Sequence, residues 1–77
     1  MSENQRKVVE AFLSFQSKRA GALSTNGKEI FSYALRLAYR DVNQHVVKVF
    51  SREDRMPSVT TARHRNLVDS VIEEVLS

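Results

Sequence analysis

Apolar residues near the start of the chain recur at helical spacing. Val8, Val9, Phe12, Leu13, Phe15 and Gln16 follow at that spacing, and the apolar ones form a stripe that suits burial against a core. Ser2-Glu3-Asn4-Gln5 fits a capping box, with Ser2 as N-cap and Gln5 three residues on. Lys18 and Arg19 would then sit in a last turn that favours cations, and Gly21 would supply the left-handed residue that ends the helix. The spacing predicts a helix over about 3–20.

The period changes after Asn26-Gly27, a strong turn signal. Phe31, Tyr33, Leu35, Leu37 and Tyr39 alternate with Ser32, Ala34, Arg36, Ala38 and Arg40, which argues for a half-buried strand. Residues 41–45 read as a loop. Val46-Val47-Lys48-Val49-Phe50 is rich in β-branched residues and reads as a second strand, closing an antiparallel hairpin. A three-helix alternative stands beside this one. Phe31, Ala34, Leu35, Ala38, Val42, Val46 and Val49 also fall near helical spacing. The unbroken alternation favours strands. Residues 51–55 form a charged turn, and Met56–Val59 is compatible with a short third strand at the sheet edge, where Pro57 is tolerated. Thr60 or Ser58 then caps a final helix whose apolar stripe is Leu67, Val68, Val71, Ile72, Val75 and Leu76. The expected fold is α+β, one small domain over 1–77. An N-terminal helix and a C-terminal helix pack on one face of a small antiparallel sheet.

Composition narrows the chemistry. At 77 residues, with 42% hydrophobic and 27% charged positions, the chain is globular but its core is thin. With no Cys, disulfides and thiolate metal sites are ruled out. His45 and His64 stand far apart without paired carboxylates, so no metal or cofactor site is expected. A nucleophile elbow, a P-loop and a dinucleotide fingerprint are all lacking, and a catalytic role is not expected. The polar N-terminus and the lack of a long apolar run point away from membranes and toward the cytoplasm.

Charge is distributed unevenly. Residues 1–40 hold seven bases and three acids, residues 41–65 five and three, and residues 66–77 three acids and no base. The last helix therefore begins with Arg63 and Arg65 and ends with Glu73-Glu74, the reverse of what a helix macrodipole favours. A basic helix start is tolerable if it meets phosphate. Thr60, Thr61, Arg63 and Arg65 are the candidate phosphate contacts. Arg36, Arg40 and Lys48 would extend the path across a basic sheet face that also carries Ser32. Two readings of His64 stand at this point. Its spacing to Val68 and Val71 places it at the edge of the apolar stripe as a half-buried structural imidazole, and its neighbours Arg63 and Arg65 would make it a phosphate contact. Phe31, Tyr33 and Tyr39 are read as core beneath the helices. Left open, that face would be a stacking platform for single-stranded nucleic acid.

Gly27-Lys28-Glu29-Ile30-Phe31-Ser32-Tyr33, Ala38, and Ser58-Val59-Thr60-Thr61-Ala62-Arg63-His64-Arg65-Asn66 together resemble a family of small uncharacterised phage and mobile-element proteins. Its pattern is a Ser-Tyr strand, an apolar hairpin, and Ser-x-Thr-Thr-x-x-His opening a helix. This chain departs from it in carrying Arg52–Pro57 where the pattern has a shorter, aromatic-bearing turn. The resemblance implies strands and a viral or mobile-element origin, but no activity. The layout is also similar to a double-stranded-RNA-binding domain, with Arg63, Arg65 and His45 in place of its contacts. The function expected is binding of nucleic-acid backbone, DNA or RNA, without strong sequence readout. The rival expectation is a phage-encoded protein that binds and modulates a host protein. A structural homodimer is a third.

Overall fold

The first helix stops eight residues, just over two turns, before Gly21. A computed structural model describes residues 3–50 and 55–76, in which α1 spans Glu3–Leu13 and the backbone then turns back on itself. Ser2 and residues 51–54, on which the capping box and most of the charged turn rest, lie outside the described residues. Phe15 takes the left-handed conformation with φ +60°. Its N–H donates to the Phe12 carbonyl at 3.3 Å, and the Gln16 N–H donates to the Ala11 carbonyl at 2.8 Å. These two bonds form a Schellman motif with an aromatic residue where glycine is usual. Ser17–Ala20, read from sequence as the end of the helix, is instead β1.

Five strands follow one another in an antiparallel meander: β1, then β2 Leu23–Asn26, β3 Glu29–Ser32, β4 Leu35–Arg40 and β5 Val46–Lys48. The α+β class is as the sequence predicts, and so is the β4–β5 hairpin around the 41–45 loop. The alternating run 31–39 is not one strand. It is broken at Tyr33-Ala34, where Tyr33 has φ +55° and the chain reverses from β3 to β4. Met56–Val59 forms no strand; α2 begins at Val59 and runs to Leu76.

A bulge in β4 decides which side chains share a face. Ile30 lies opposite Ala38, but Phe31 lies opposite Arg36, so Leu37 is the extra residue. Leu37 and Ala38, although consecutive, are therefore both buried. One core unites Val8, Val9 and Phe12 of α1, Leu23, Ile30, Leu37 and Ala38 of the sheet, and Leu67, Val68, Val71 and Ile72 of α2. Both helices pack on the sheet face that carries Leu23, Thr25, Ile30, Ser32 and Ala38.

The bulge also undoes the predicted basic face. Residues directly opposite one another in an antiparallel pair share a face. Ala38 is opposite Lys48 and Ser32 opposite Leu35, on the helix-covered side. Arg40, two residues on from Ala38, falls there too. Arg36 lies opposite Phe31 on the other side. Phe31 and Tyr39, expected in the core, are on the face that no described helix covers, and both are half-buried. Tyr33 sits exposed at the β3–β4 turn.

Candidate nucleic-acid interface

The sequence points to the start of α2. Ser58 is its N-cap: the Thr61 N–H donates to the Ser58 hydroxyl at 3.1 Å. Thr61, a predicted phosphate contact, is buried, and its own hydroxyl accepts from Ser58 Oγ and from Ser32 Oγ, each at 3.1 Å. Its side chain faces the sheet rather than a ligand. Thr60 and Arg63 are exposed, and Arg65 is half-buried, its Nε donating to Asn66 Oδ1 at 3.3 Å. The helix start is thus closed by its own hydroxyls, with two of the four predicted side chains fully at the surface.

His64 belongs to the fold. It is 1% exposed, and burial pushes its pKa below the ordinary histidine value. Its Nε2 lies 3.2 Å from the Gln5 amide nitrogen and its Nδ1 2.7 Å from Ser32 Oγ. An amide nitrogen only donates, so Nε2 accepts and the proton of the neutral ring sits on Nδ1. Nδ1–H then donates to Ser32, Ser32 donates to Thr61, and every member of the chain has a partner. A Ser–His pair with an orienting Gln has the outline of a nucleophile, base and third group. However, Ser32 is 0% exposed, so no substrate carbonyl reaches its hydroxyl. The arrangement instead ties α1, β3 and α2 together through polar bonds inside a thin core.

The other predicted cations are largely committed. Arg40 donates to the Leu13 carbonyl at 2.7 Å and to the Gln44 carbonyl at 2.8 Å, and its guanidinium lies 4.5 Å from the centre of the Phe15 ring. It caps the C-terminus of α1, where carbonyls lack partners. Lys48 pairs with Asp69, a buried carboxylate of α2. Arg36 bonds Glu29 at 3.2 Å and lies 4.5 Å over the Tyr39 ring, but it remains exposed on the helix-free face. His45, in the β4–β5 loop, is exposed and stands 3.7 Å from Asp41. Asp41 has its pKa lowered, first by the hydrogen bond from the His45 backbone.

The structure assembles a different surface. Strand register aligns Arg19, Ser24, Phe31 and Arg36 in one row across β1 to β4. A second row runs from Glu29 through Tyr39 to Val47. Both lie on the helix-free face. Arg19 is exposed, and its Nε bonds only the Gly21 carbonyl, at 3.2 Å, among the described residues. Lys28, next in the chain to Glu29, is exposed as well, whereas Lys18, opposite Thr25, belongs to the helix-covered side. Arg19 escapes sequence reasoning because Ser17–Ala20 lacks apolar alternation. The signal that could have found it is Gly21-Ala22, a two-residue turn with glycine in its first central position, between Ser17–Ala20 and Leu23–Asn26.

A separate groove lies at the β3–β4 turn. It has a volume of about 390 Å³, and its lining includes Tyr33, Ala34, Leu35, Pro57, Ser58 and Thr60. No cluster of potential metal ligands occurs among the described residues, and no helix there is long and apolar enough to cross a membrane. No family model, curated protein or solved structure is significantly similar to this chain.

Proposed function

We propose that this protein binds nucleic acid, gripping the phosphate backbone with the helix-free face of its sheet and reading little sequence. The observation that carries this is the row Arg19–Ser24–Phe31–Arg36. It has a guanidinium near either end, no carboxylate within it, and no described helix over it. Three inter-strand steps of ~4.8 Å place its ends about 14 Å apart. Ser17, Ser24 and Asn26 are the uncharged polar side chains of β1 and β2 on this face, too few for base-by-base readout. The net charge of +3 supports the same polarity of partner.

Salt tests this reading. Two or three phosphate contacts give a slope of log affinity against log salt between about −1.4 and −2.7, depending on strandedness. Fluorescence anisotropy with labelled oligonucleotides at two ionic strengths measures it. Arg19→Glu should weaken binding several-fold, whereas Arg40→Met should leave it unchanged. No binding to any oligonucleotide at low salt ends the proposal.

One observation favours a second reading, docking of a protein partner such as a host factor. Tyr33, Leu35 and Val59 are 63%, 41% and 71% exposed beside the groove at the β3–β4 turn. Binding through such apolar side chains depends weakly on salt and strongly on single aromatic residues. Tyr33→Ala should abolish it and spare nucleic-acid binding.

A further inference from the structure

The helix-free face carries rings as well as charges, and the two together select a form of nucleic acid. We infer that the ligand is an unpaired strand, RNA or DNA, laid across the sheet with one base stacked on Phe31 and its neighbour on the Arg36–Tyr39 pair. This rests on the nucleic-acid reading above and names the ligand for that site.

A ligand that only presented phosphates would have no use for rings. In a duplex the bases are stacked on one another and their faces are hidden, so Phe31 and Tyr39 could touch only sugar and phosphate. An unpaired strand exposes base faces, which stack on aromatic rings and on guanidinium planes. Phe31 is half-buried between Ser24 and Arg36, its two direct neighbours on this face. Ser24 is the smaller of the two. Arg36 sits over Tyr39 at 4.5 Å and is bonded to Glu29 at 3.2 Å, so its guanidinium is oriented before any ligand arrives.

The spacing fits adjacent nucleotides. Tyr39 lies opposite Glu29, two residues from Phe31 along β3. Such diagonal neighbours are ~7–8 Å apart, wider than the rise between stacked bases, so a strand engaging both would have its bases spread rather than helically stacked. The rows run perpendicular to the strands. A backbone following them passes Arg19, whose guanidinium bonds no carboxylate among the described residues and suits phosphate, at one side and the stacked Arg36 at the other. Glu29, the acid of these rows among the described residues, is already paired to Arg36.

The test is fluorescence anisotropy of the full chain with a mixed-sequence 12-nucleotide RNA, the same sequence as DNA, and the matching duplexes. Single strands should bind at least tenfold more tightly than duplexes. Phe31→Ala should lower single-strand affinity roughly five- to a hundredfold and leave the duplex value unchanged. Phe31→Tyr should retain binding. The chain has no Trp, so Phe31→Trp gives a unique fluorophore whose emission should be quenched by single strands. Circular dichroism of each variant separates a lost fold from a lost contact, and Phe31→Trp and Phe31→Tyr keep the test available should Phe31→Ala misfold. Duplexes binding as tightly as single strands, with affinity still dependent on Arg19, overturn this inference and leave backbone binding standing. Single-strand affinity unmoved by Phe31→Ala in a folded variant, or an unquenched Trp, overturns it as well. A chain that binds none of the four oligonucleotides overturns the parent reading itself. The RNA and DNA arms identify which source supplies the strand.

Discussion

Two glycines in this chain have positive φ, and the same substitution at each should give very different results. Gly21 has φ +60° in the β1–β2 turn, and a Cβ there would meet nothing within 4 Å. Gly27 has φ +93° in the β2–β3 turn, and a Cβ there would lie 2.9 Å from the Phe15 carbonyl oxygen and 3.0 Å from its carbon. Gly21→Ala therefore faces only the cost of a left-handed L-residue, ~1–2 kcal/mol. For a domain of this size, 1 kcal/mol lowers Tm by about 4–8 °C. Gly27→Ala faces backbone strain of ~1–3 kcal/mol and, in addition, a collision with backbone, which cannot rotate away as a side chain can. Overpacking of that kind costs a further ~1–3 kcal/mol. The sum, about 2–6 kcal/mol, compares with a total stability of ~4–12 kcal/mol expected for 77 residues. Thermal melting by far-UV circular dichroism reads the outcome. Gly21→Ala should melt within ~16 °C of wild type, while Gly27→Ala should lose at least as much again or fail to fold. Hydrogen exchange at the Gln16 N–H, which closes the end of α1 at 2.8 Å, should accelerate in Gly27→Ala alone. Equal melting of the two variants would refute the view that the β2–β3 turn is pressed against the helix end.

Ser32→Ala removes the acceptor of the His64 Nδ1–H where water does not reach, and should cost ~1–3 kcal/mol in a denaturant melt. His64→Ala should cost more, because it also opens a cavity. Stability should also depend on pH through His64. Its folded pKa is depressed, so its contribution is complete above the unfolded value near ~6.5 and declines as pH falls toward the lowered folded value. Melts between pH 7.5 and 5 should show this fall, and His64→Gln should flatten it. Arg40→Met keeps an apolar stem over Phe15 but leaves the Leu13 carbonyl without its donor. It should lower stability by ~1.5–3 kcal/mol and speed exchange in the last turn of α1.

The α+β class, the Asn26-Gly27 turn and the β4–β5 hairpin were legible in the sequence because each depends on local chemistry. Asn26 Oδ1 accepts from the Lys28 and Glu29 N–H groups at 2.9 and 2.8 Å, and Thr25 Oγ1 accepts from the Gly27 N–H at 3.0 Å, so the turn is built by side chains within it. What escaped depends on tertiary contacts. The end of α1 at Phe15 carries no glycine, and its left-handed backbone is accompanied by Arg40 from β4 stacked on the ring. The reversal at Tyr33 likewise lacks glycine or asparagine. Read as one strand, 31–39 puts Phe31 and Tyr39 in the core. Broken at Tyr33 and bulged at Leu37, it turns them to the open face. The structural role of His64 was legible from its spacing to Val68 and Val71, but its partners Gln5 and Ser32, 59 and 32 residues away, were not.

The reversed charges of α2 make sense once the cations are followed to their partners. Glu74, unfavourable at a helix C-terminus, bonds Arg6 of α1 at 2.7 Å, and Arg6 also meets Glu10 at 3.4 Å. Asp69, one turn earlier on the helix, takes Lys48 from β5. The acidic half of α2 therefore serves as a clamp that draws in one cation from α1 and one from the sheet edge. Both of those cations approach from the helix-covered side, as does Arg40, which reaches α1. On the helix-covered side Lys48 and Arg40 are thus engaged, while Lys18, in register with Thr25, stays exposed. Across the sheet, Arg36 has a partner that leaves it exposed, and Arg19 bonds a backbone carbonyl in its own turn. On the face where Phe31 and Tyr39 emerge, Arg19 thus keeps a guanidinium without a carboxylate partner among the described residues. The unpaired guanidinium of Arg19, beside rings that the core does not cover, is the physical basis for proposing a binding surface there rather than at the capped start of α2.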